Sequence, residues 1–131
     1  MTSAYLLDTN AVVARLNGDN EIIRFIEENA DEILFTSIVL GELYYGAEKS
    51  QRVEENIQKI DNLIRGRIVL NNDTQTARLY GRIHQQLRAK GRPIPQNDIW
   101  IAATAIQHDL ILLTRDQHFN EIDALSTQNW Q

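Results

Sequence analysis

Short apolar runs alternate with amphipathic stretches along this chain, a pattern that predicts strands separated by helices. Ala4–Leu7 reads as a first strand, followed by a helix from about Thr9 to Leu16 that Asn17-Gly18-Asp19 closes as a turn. Glu21–Asn29 carries Ile22, Ile23, Phe25 and Ile26 on one side and predicts a second helix. Ile33–Thr36 is the next strand, and Thr36 or Ser37 can cap a helix running to about Glu48. Val53, Ile57, Ile60 and Ile64 follow at spacings of four, three and four, the stripe of an amphipathic helix. Arg67–Leu70 gives a third strand. Asn72 or Asp73 then caps a long helix with Ala77, Tyr80, Ile83 and Leu87 inward, stopped at Lys90-Gly91-Arg92-Pro93. Asp98–His108 predicts a further helix, Leu110–Leu113 a strand, and Ser126–Trp130 a last short edge strand. Strands joined through helices need crossover connections, hence a mostly parallel sheet covered on both faces. With 131 residues and no linker, repeat or low-complexity segment, residues 1–131 read as one three-layer α/β domain.

Composition narrows the chemistry. A hydrophobic fraction of 43% and a charged fraction of 24% are ordinary for a soluble globular protein, and no apolar run approaches the roughly 18 residues of a membrane span. The first residues carry no basic leader region, which argues against a signal peptide. There are no cysteines, so disulfides, thiolate metal sites and cysteine nucleophiles are excluded. A cytoplasmic protein without a membrane partner fits these features. The net charge of −5 argues mildly against nucleic acid, because phosphate binding rests on Lys and Arg. The charge is uneven, however. Between Thr74 and Asn97 stand Arg78, Arg82, Arg88, Lys90 and Arg92 and no acid, leaving −10 on the remainder. That segment reads either as a solvated basic helix face or as a phosphate-contacting surface.

Four acids stand where apolar elements begin, end or are interrupted. They lie in Leu6-Leu7-Asp8-Thr9-Asn10, Gly41-Glu42-Leu43, Asn97-Asp98-Ile99-Trp100-Ile101-Ala102-Ala103 and Leu113-Thr114-Arg115-Asp116. In a parallel α/β sheet, ligands bind outside the carboxyl ends of the strands. Asp8 directly follows the first strand and Asp116 closely follows the strand ending at Leu113, so all four can meet at one sheet edge. Each also has a plainer reading. Asp8, Asp98 and Asp116 suit turn or helix-cap positions. Glu42 resists that reading, since it is the only charge between Glu32 and Glu48 and a solvated face would carry more. Two unit charges about 4 Å apart repel by roughly 4 kcal/mol at an effective dielectric near 20. Protonation, cationic partners or a hard divalent ion must offset such a cluster, and oxygen-only ligands suit Mg²⁺ or Mn²⁺.

In these motifs the chain resembles the PIN-domain ribonucleases, and within them the VapC-type toxins of VapBC toxin–antitoxin systems. The matching residues are Leu7-Asp8-Thr9-Asn10, Gly41-Glu42-Leu43-Tyr44-Tyr45-Gly46, Asp98 with Ile101-Ala102-Ala103-Thr104, Leu113-Thr114-Arg115-Asp116 with Phe119, and the closing Asn129-Trp130. The resemblance spans nearly the whole chain in the expected order. It implies a PIN-like fold and a catalytic quartet of Asp8, Glu42, Asp98 and Asp116. Asp8 and Asp98, with Asp116, would bind the metal. Thr9, Asn10 and Thr114 would orient acids or water. It further implies an endoribonuclease toxin that cleaves RNA by metal-activated water, leaving a 5′-phosphate and a 3′-hydroxyl. A VapB-type antitoxin would inhibit it by laying a C-terminal tail near Leu43, Tyr44 and Tyr45, and the chain would form a homodimer. Core packing is the competing account of the two tyrosines.

Arg88, Lys90, Arg92 and Arg115 are the candidates for contact with RNA. His84, His108 and His118 read as surface or packing residues, with only His118, two residues past Asp116, near enough to touch substrate. Other aspartate-bearing α/β folds fit less well. A phosphoacceptor domain would need an acidic pair near the first strand and a late lysine. A haloacid-dehalogenase-like phosphatase would need Asp-x-Asp where this chain has Asp8-Thr9-Asn10. A catalytically silent PIN-like binding module differs from the enzyme only in lacking metal-dependent turnover.

Overall fold

A computed structural model describes residues 3–131. Strands β1 (Tyr5–Leu7), β2 (Ile33–Thr36), β3 (Ile68–Leu70), β4 (Ile111–Leu113) and β5 (Thr127–Gln128) form one sheet in the order β3-β2-β1-β4-β5. Every pairing is parallel, with Tyr5 opposite Ile33 and Leu7 opposite Leu113. The sheet is therefore wholly parallel rather than mostly so. Among the described residues six α-helices flank it: α1 (Thr9–Leu16), α2 (Asn20–Glu28), α3 (Ser37–Glu48), α4 (Val53–Ile64), α5 (Thr74–Lys90) and α6 (Gln96–Gln107). Right-handed crossovers place α1 to α4 on one face and α5 and α6 on the other, because the chain moves outward from β1 to β3 and then returns to β4. No helix among the described residues is long and apolar enough to cross a membrane. The leader expectation rests partly on Met1 and Thr2, which lie outside the described residues.

The apolar runs form the inner strands because both their faces are covered. Leu6, Leu7, Phe35, Leu112 and Leu113 are fully buried, each stabilising the fold by about 1.5–3 kcal/mol relative to exposure. α6 packs almost entirely inside, with Ile99 and Ile101 to Ala105 all buried.

The local signals largely set the helix ends. Thr36 caps α3 by accepting from the Ile38 N–H, and Asp73 opens α5 through a reciprocal capping box with Thr76. Gly91 ends α5 at φ 69°, a left-handed conformation suited to glycine.

Several details differ from the sequence pattern, among them the last strand, which is Thr127–Gln128 rather than Ser126–Trp130. Ala77 is exposed and Thr76 is buried in its place. The Thr76 hydroxyl donates to the Gln107 side-chain oxygen, and Gln107 Nε2 donates to Asp73 at 2.9 Å, so a polar network sets the phase of the first turn of α5. α6 also starts at Gln96 behind Pro95, two residues earlier than Asp98. Asp98 thus lies inside the first turn and is not the helix cap.

The C-terminal segment is tied to the loop after β4. The Thr114 N–H donates to the Gln128 carbonyl at 2.9 Å, and the Arg115 guanidinium lies 4.1 Å over the buried Trp130 ring.

Candidate active site

Strand order reverses direction at β1, the strand next to β4, which makes the carboxyl ends of this pair the natural ligand crevice. The Asp8 N–H donates to the Leu113 carbonyl at 3.3 Å, fixing the two strand ends to each other. Asp8 caps α1, its Oδ1 accepting from the Ala11 N–H at 2.7 Å. Its Oδ2 accepts from the Thr114 hydroxyl at 2.5 Å. Thr114 Oγ1 in turn accepts from the Asp116 N–H at 2.9 Å, so one hydroxyl links the two acids. Asp116 caps the 3₁₀ turn Gln117–Glu121, accepting from the His118 N–H at 2.9 Å. Cap chemistry and membership of the acid cluster therefore coincide at Asp8 and Asp116.

Glu42 projects from α3 and accepts from the Thr9 hydroxyl at 3.0 Å. Asn10 is exposed on the first turn of α1. Asp98 comes from α6 on the other face of the sheet. The charges of Asp116 and Asp98 reach Asp8, and those of Asp116 and Glu42 reach Asp98. Burial raises the Asp8 carboxyl from 3.8 to about 6 against the lowering effect of its two hydrogen bonds, with added repulsion from Asp116 and Asp98. Asp98 is also raised, first by burial and then by the charges of Asp116 and Glu42, while His118 pulls it back.

Replacing Thr114 with Val keeps the shape and removes both bonds. This variant is expected to lose about 1–3 kcal/mol of stability in denaturant unfolding. A loss below about 0.5 kcal/mol would show that the hydroxyl does not support the acids.

The tightest donor group differs from the one that the sequence suggests. One ligand atom each from Asp98, Asp116 and His118 lie within 4.8 Å of one another, and Asp8 sits deeper with both oxygens already engaged. His118 Nδ1 is 3.3 Å from Asp116 Oδ1 and 3.8 Å from Asp98 Oδ2. Sequence reasoning gave His118 little weight. The signal available for it was its place two residues after Asp116, and its direction is set by the 3₁₀ turn that buried Phe119 anchors.

The basic candidates fare unequally. Arg115 pairs with Asp19 at 4.0 Å and Glu21 at 3.9 Å while resting on Trp130, which turns it away from the acids. The Lys90 ammonium donates to Asp123 at 2.9 Å and to the Glu121 carbonyl at 2.8 Å. Arg88 lines a cavity with His84 and Pro93. Arg92 lines a cavity of about 430 Å³ together with His118, which makes it the candidate beside the cluster.

Among the described residues, the ion pairs of lysine and arginine lead elsewhere and none reaches the four acids. Hard oxygen donors that repel one another, without a lysine or arginine to neutralise them, are a donor set that fits a divalent cation.

A groove of about 450 Å³ adjoins the cluster between α1, α3 and α4, lined by Thr9, Val13, Glu42, Leu43, Gly46 and Ile60. Leu43 is buried, and the Tyr44 hydroxyl donates to Asp61 at 2.5 Å, so both serve packing. Burial and then Asp61 push the Tyr44 phenol up to about 12. Tyr45 is 66% exposed, with the Lys49 ammonium 4.9 Å from the centre of its ring.

Comparison with known proteins bears on this geometry. The PIN domain family model matches residues 5–125. Ribonuclease VapC2 of Haemophilus influenzae is 38% identical over 128 residues, covering 96% of this chain and 97% of that protein. The tRNA(fMet)-specific endonuclease VapC of Salmonella typhimurium is 34% identical over the same shares. VapBC2 from Rickettsia felis, solved bound to a DNA fragment from its promoter, superposes with a TM-score of 0.92 at 32% identity, covering 98% of this chain and 99% of that one. DNA-bound VapBC from Salmonella typhimurium gives 0.94 at 31% identity, covering 99% and 100%. Sequence likeness and fold agree over almost the full length, and the chain belongs to the PIN-domain family, among the VapC ribonucleases.

Proposed function

We propose that this nuclease is a Mg²⁺- or Mn²⁺-dependent endoribonuclease, the toxin of a toxin–antitoxin pair. The observation that carries the reading is the meeting of Asp8, Glu42, Asp98 and Asp116, from separate elements, in a crevice where lysine and arginine do not neutralise them. A bound divalent ion supplies polarisation of the scissile phosphate and a lowered pKa for water. Asp98 and Asp116 would hold it together with Asp8. Thr114 fixes the orientation of Asp8 and Asp116, and Thr9 fixes that of Glu42. Glu42, at the groove end of the cluster, positions the attacking water and takes its proton. In-line attack breaks the P–O3′ bond, the departing oxygen takes a proton from solvent, and a 5′-phosphate and a 3′-hydroxyl are left.

The test is cleavage of RNA with Mg²⁺ or Mn²⁺ against EDTA. The tRNA named in the Salmonella typhimurium relative is the first substrate to try. Cleavage that persists in chelator removes the metal-dependent reading.

Arg92 is our choice for holding the RNA backbone beside the acids, with Arg88 further along and Lys90 and Arg115 largely committed to their own partners. Arg92→Ala is expected to weaken binding of all RNA sequences and lower the salt slope by about 1. Filter binding of a non-cleaved RNA between about 50 and 200 mM salt checks this. An unchanged slope counts against the assignment. The antitoxin's C-terminal tail is placed in the groove between α1, α3 and α4, with a basic side chain reaching the acids and Tyr45 at the rim. A homodimer that sets two acid clusters side by side completes the proposal.

A further inference from the structure

We infer that His118 supplies a nitrogen ligand to the divalent cation held by Asp98 and Asp116, and that this ligand biases the centre toward Mn²⁺ over Mg²⁺. The inference rests on the metal-dependent reading above and adds to it a ligand and a selectivity. Nδ1 of His118 is 3.3 Å from Asp116 Oδ1 and 3.8 Å from Asp98 Oδ2, and the three donors lie within 4.8 Å of one another. Donors on a small octahedral ion sit about 2.1 Å from it, so neighbouring donors are about 3 Å apart and opposite ones about 4.2 Å. The three atoms are thus already close to the spacing that a shared ion requires.

The backbone supports this placement. The 3₁₀ turn Gln117–Glu121 is fixed at one end by Asp116 as its cap and in its middle by buried Phe119. That arrangement sends the intervening imidazole toward the acids. Its side chain is 54% exposed, so an ion arriving from solvent meets it without any opening of the core. Asp8 is differently placed, with Oδ1 on the Ala11 N–H and Oδ2 on the Thr114 hydroxyl.

Selectivity follows from the donor type. Mg²⁺ binds oxygen and water and gains little from imidazole, whereas transition ions accept nitrogen readily and bind more tightly along the series that begins with Mn²⁺. One nitrogen among carboxylates therefore separates the two ions that the rest of the pocket would treat alike.

The experiment is Mn²⁺ titration of the full chain, followed by electron spin echo spectroscopy of the bound ion and by calorimetric titration with Mn²⁺ and Mg²⁺. The expected result is a nitrogen coupling in the parent protein that disappears in His118→Gln. Mn²⁺ affinity should fall about tenfold or more in that variant, with Mg²⁺ affinity changed less than about threefold. Asp98→Asn should weaken both ions together. Bound Mn²⁺ without nitrogen coupling, or coupling that survives His118→Gln, overturns the inference and leaves the metal-dependent reading standing. A parent protein that binds neither ion overturns both. His118 is exposed, and equal melting temperatures of parent and variant without metal establish that the substitution leaves the fold intact.

Discussion

Asp98→Asn protein should cleave RNA about 10²–10³-fold more slowly than the parent at saturating Mn²⁺ or Mg²⁺, a loss of about 3–4 kcal/mol in transition-state stabilisation. The amide has the shape of the carboxylate and lacks its charge. Asp98 is the only one of the four acids contributed by the α5–α6 face of the sheet, so the remaining three cannot replace it across the crevice. The structural cost is small, because Asp98 neither caps α6 nor holds a backbone donor. Repulsion from Asp116 and Glu42 already opposes its charge in the metal-free protein. The variant should therefore melt at or slightly above the temperature of the parent while losing both cutting and ion binding. Single-turnover cleavage of a labelled RNA and thermal melting in EDTA give the two readings. Full activity in Asp98→Asn would remove the acid cluster from the reaction.

The second large effect concerns stability. Asp8 is only 3% exposed and its carboxyl is pushed up from 3.8 to about 6, mainly by burial. The folded chain keeps that proton to about pH 6, whereas the unfolded chain releases it near 3.8. The group's stabilisation is thus complete below the lower value and lost as pH rises through the upper one. At neutral pH the ionised, metal-free Asp8 then costs about 3 kcal/mol. Asp8→Asn removes this cost. Its amide oxygen still accepts from the Ala11 N–H, and its amide nitrogen can donate to Thr114 Oγ1 once that hydroxyl turns. At pH 7 in EDTA the variant should gain about 1–3 kcal/mol and melt roughly 3–10 °C higher. The gap between variant and parent should shrink as pH falls from 7 to 4. A gap that stays constant across this range, or a variant less stable at pH 7, would show that burial is not straining Asp8. The same variant is expected to be inactive, which separates the requirements of catalysis from those of the fold.

Strands β1, β2 and β4 were legible because they are short, nearly uninterrupted apolar runs, as strands covered on both faces are, whereas β5 is the exposed, polar pair Thr127–Gln128. Acids such as Asp8, set directly after such a run, were legible for the same reason, since strand ends are where an α/β sheet exposes its backbone to a ligand. Glu42 stood out as a lone charge in an apolar helix, and its bond to Thr9 gives that isolation a physical cause. Other features depended on partners distant in sequence. Periodicity favours Ala77 over Thr76 as an inward residue, yet the threonine hydroxyl accepts from the Asp73 N–H and donates to Gln107, which lets it turn inside. Arg115 looked available to RNA until Asp19 and Glu21, nearly a hundred residues earlier in the chain, came within reach of its guanidinium. His118 belongs to a single 3₁₀ turn, too short for any repeating pattern to reveal its direction.

The final residues act as a clasp on the reacting end of the molecule. Gln128 and Trp130 lie past the last residue matched by the family model, yet they grip Thr114 and Arg115, the two residues that lead directly into Asp116. Removing or displacing the Gln128–Trp130 segment therefore reaches the acids through one short loop. A preparation altered only at its tail can lose catalytic order while its central strands remain intact.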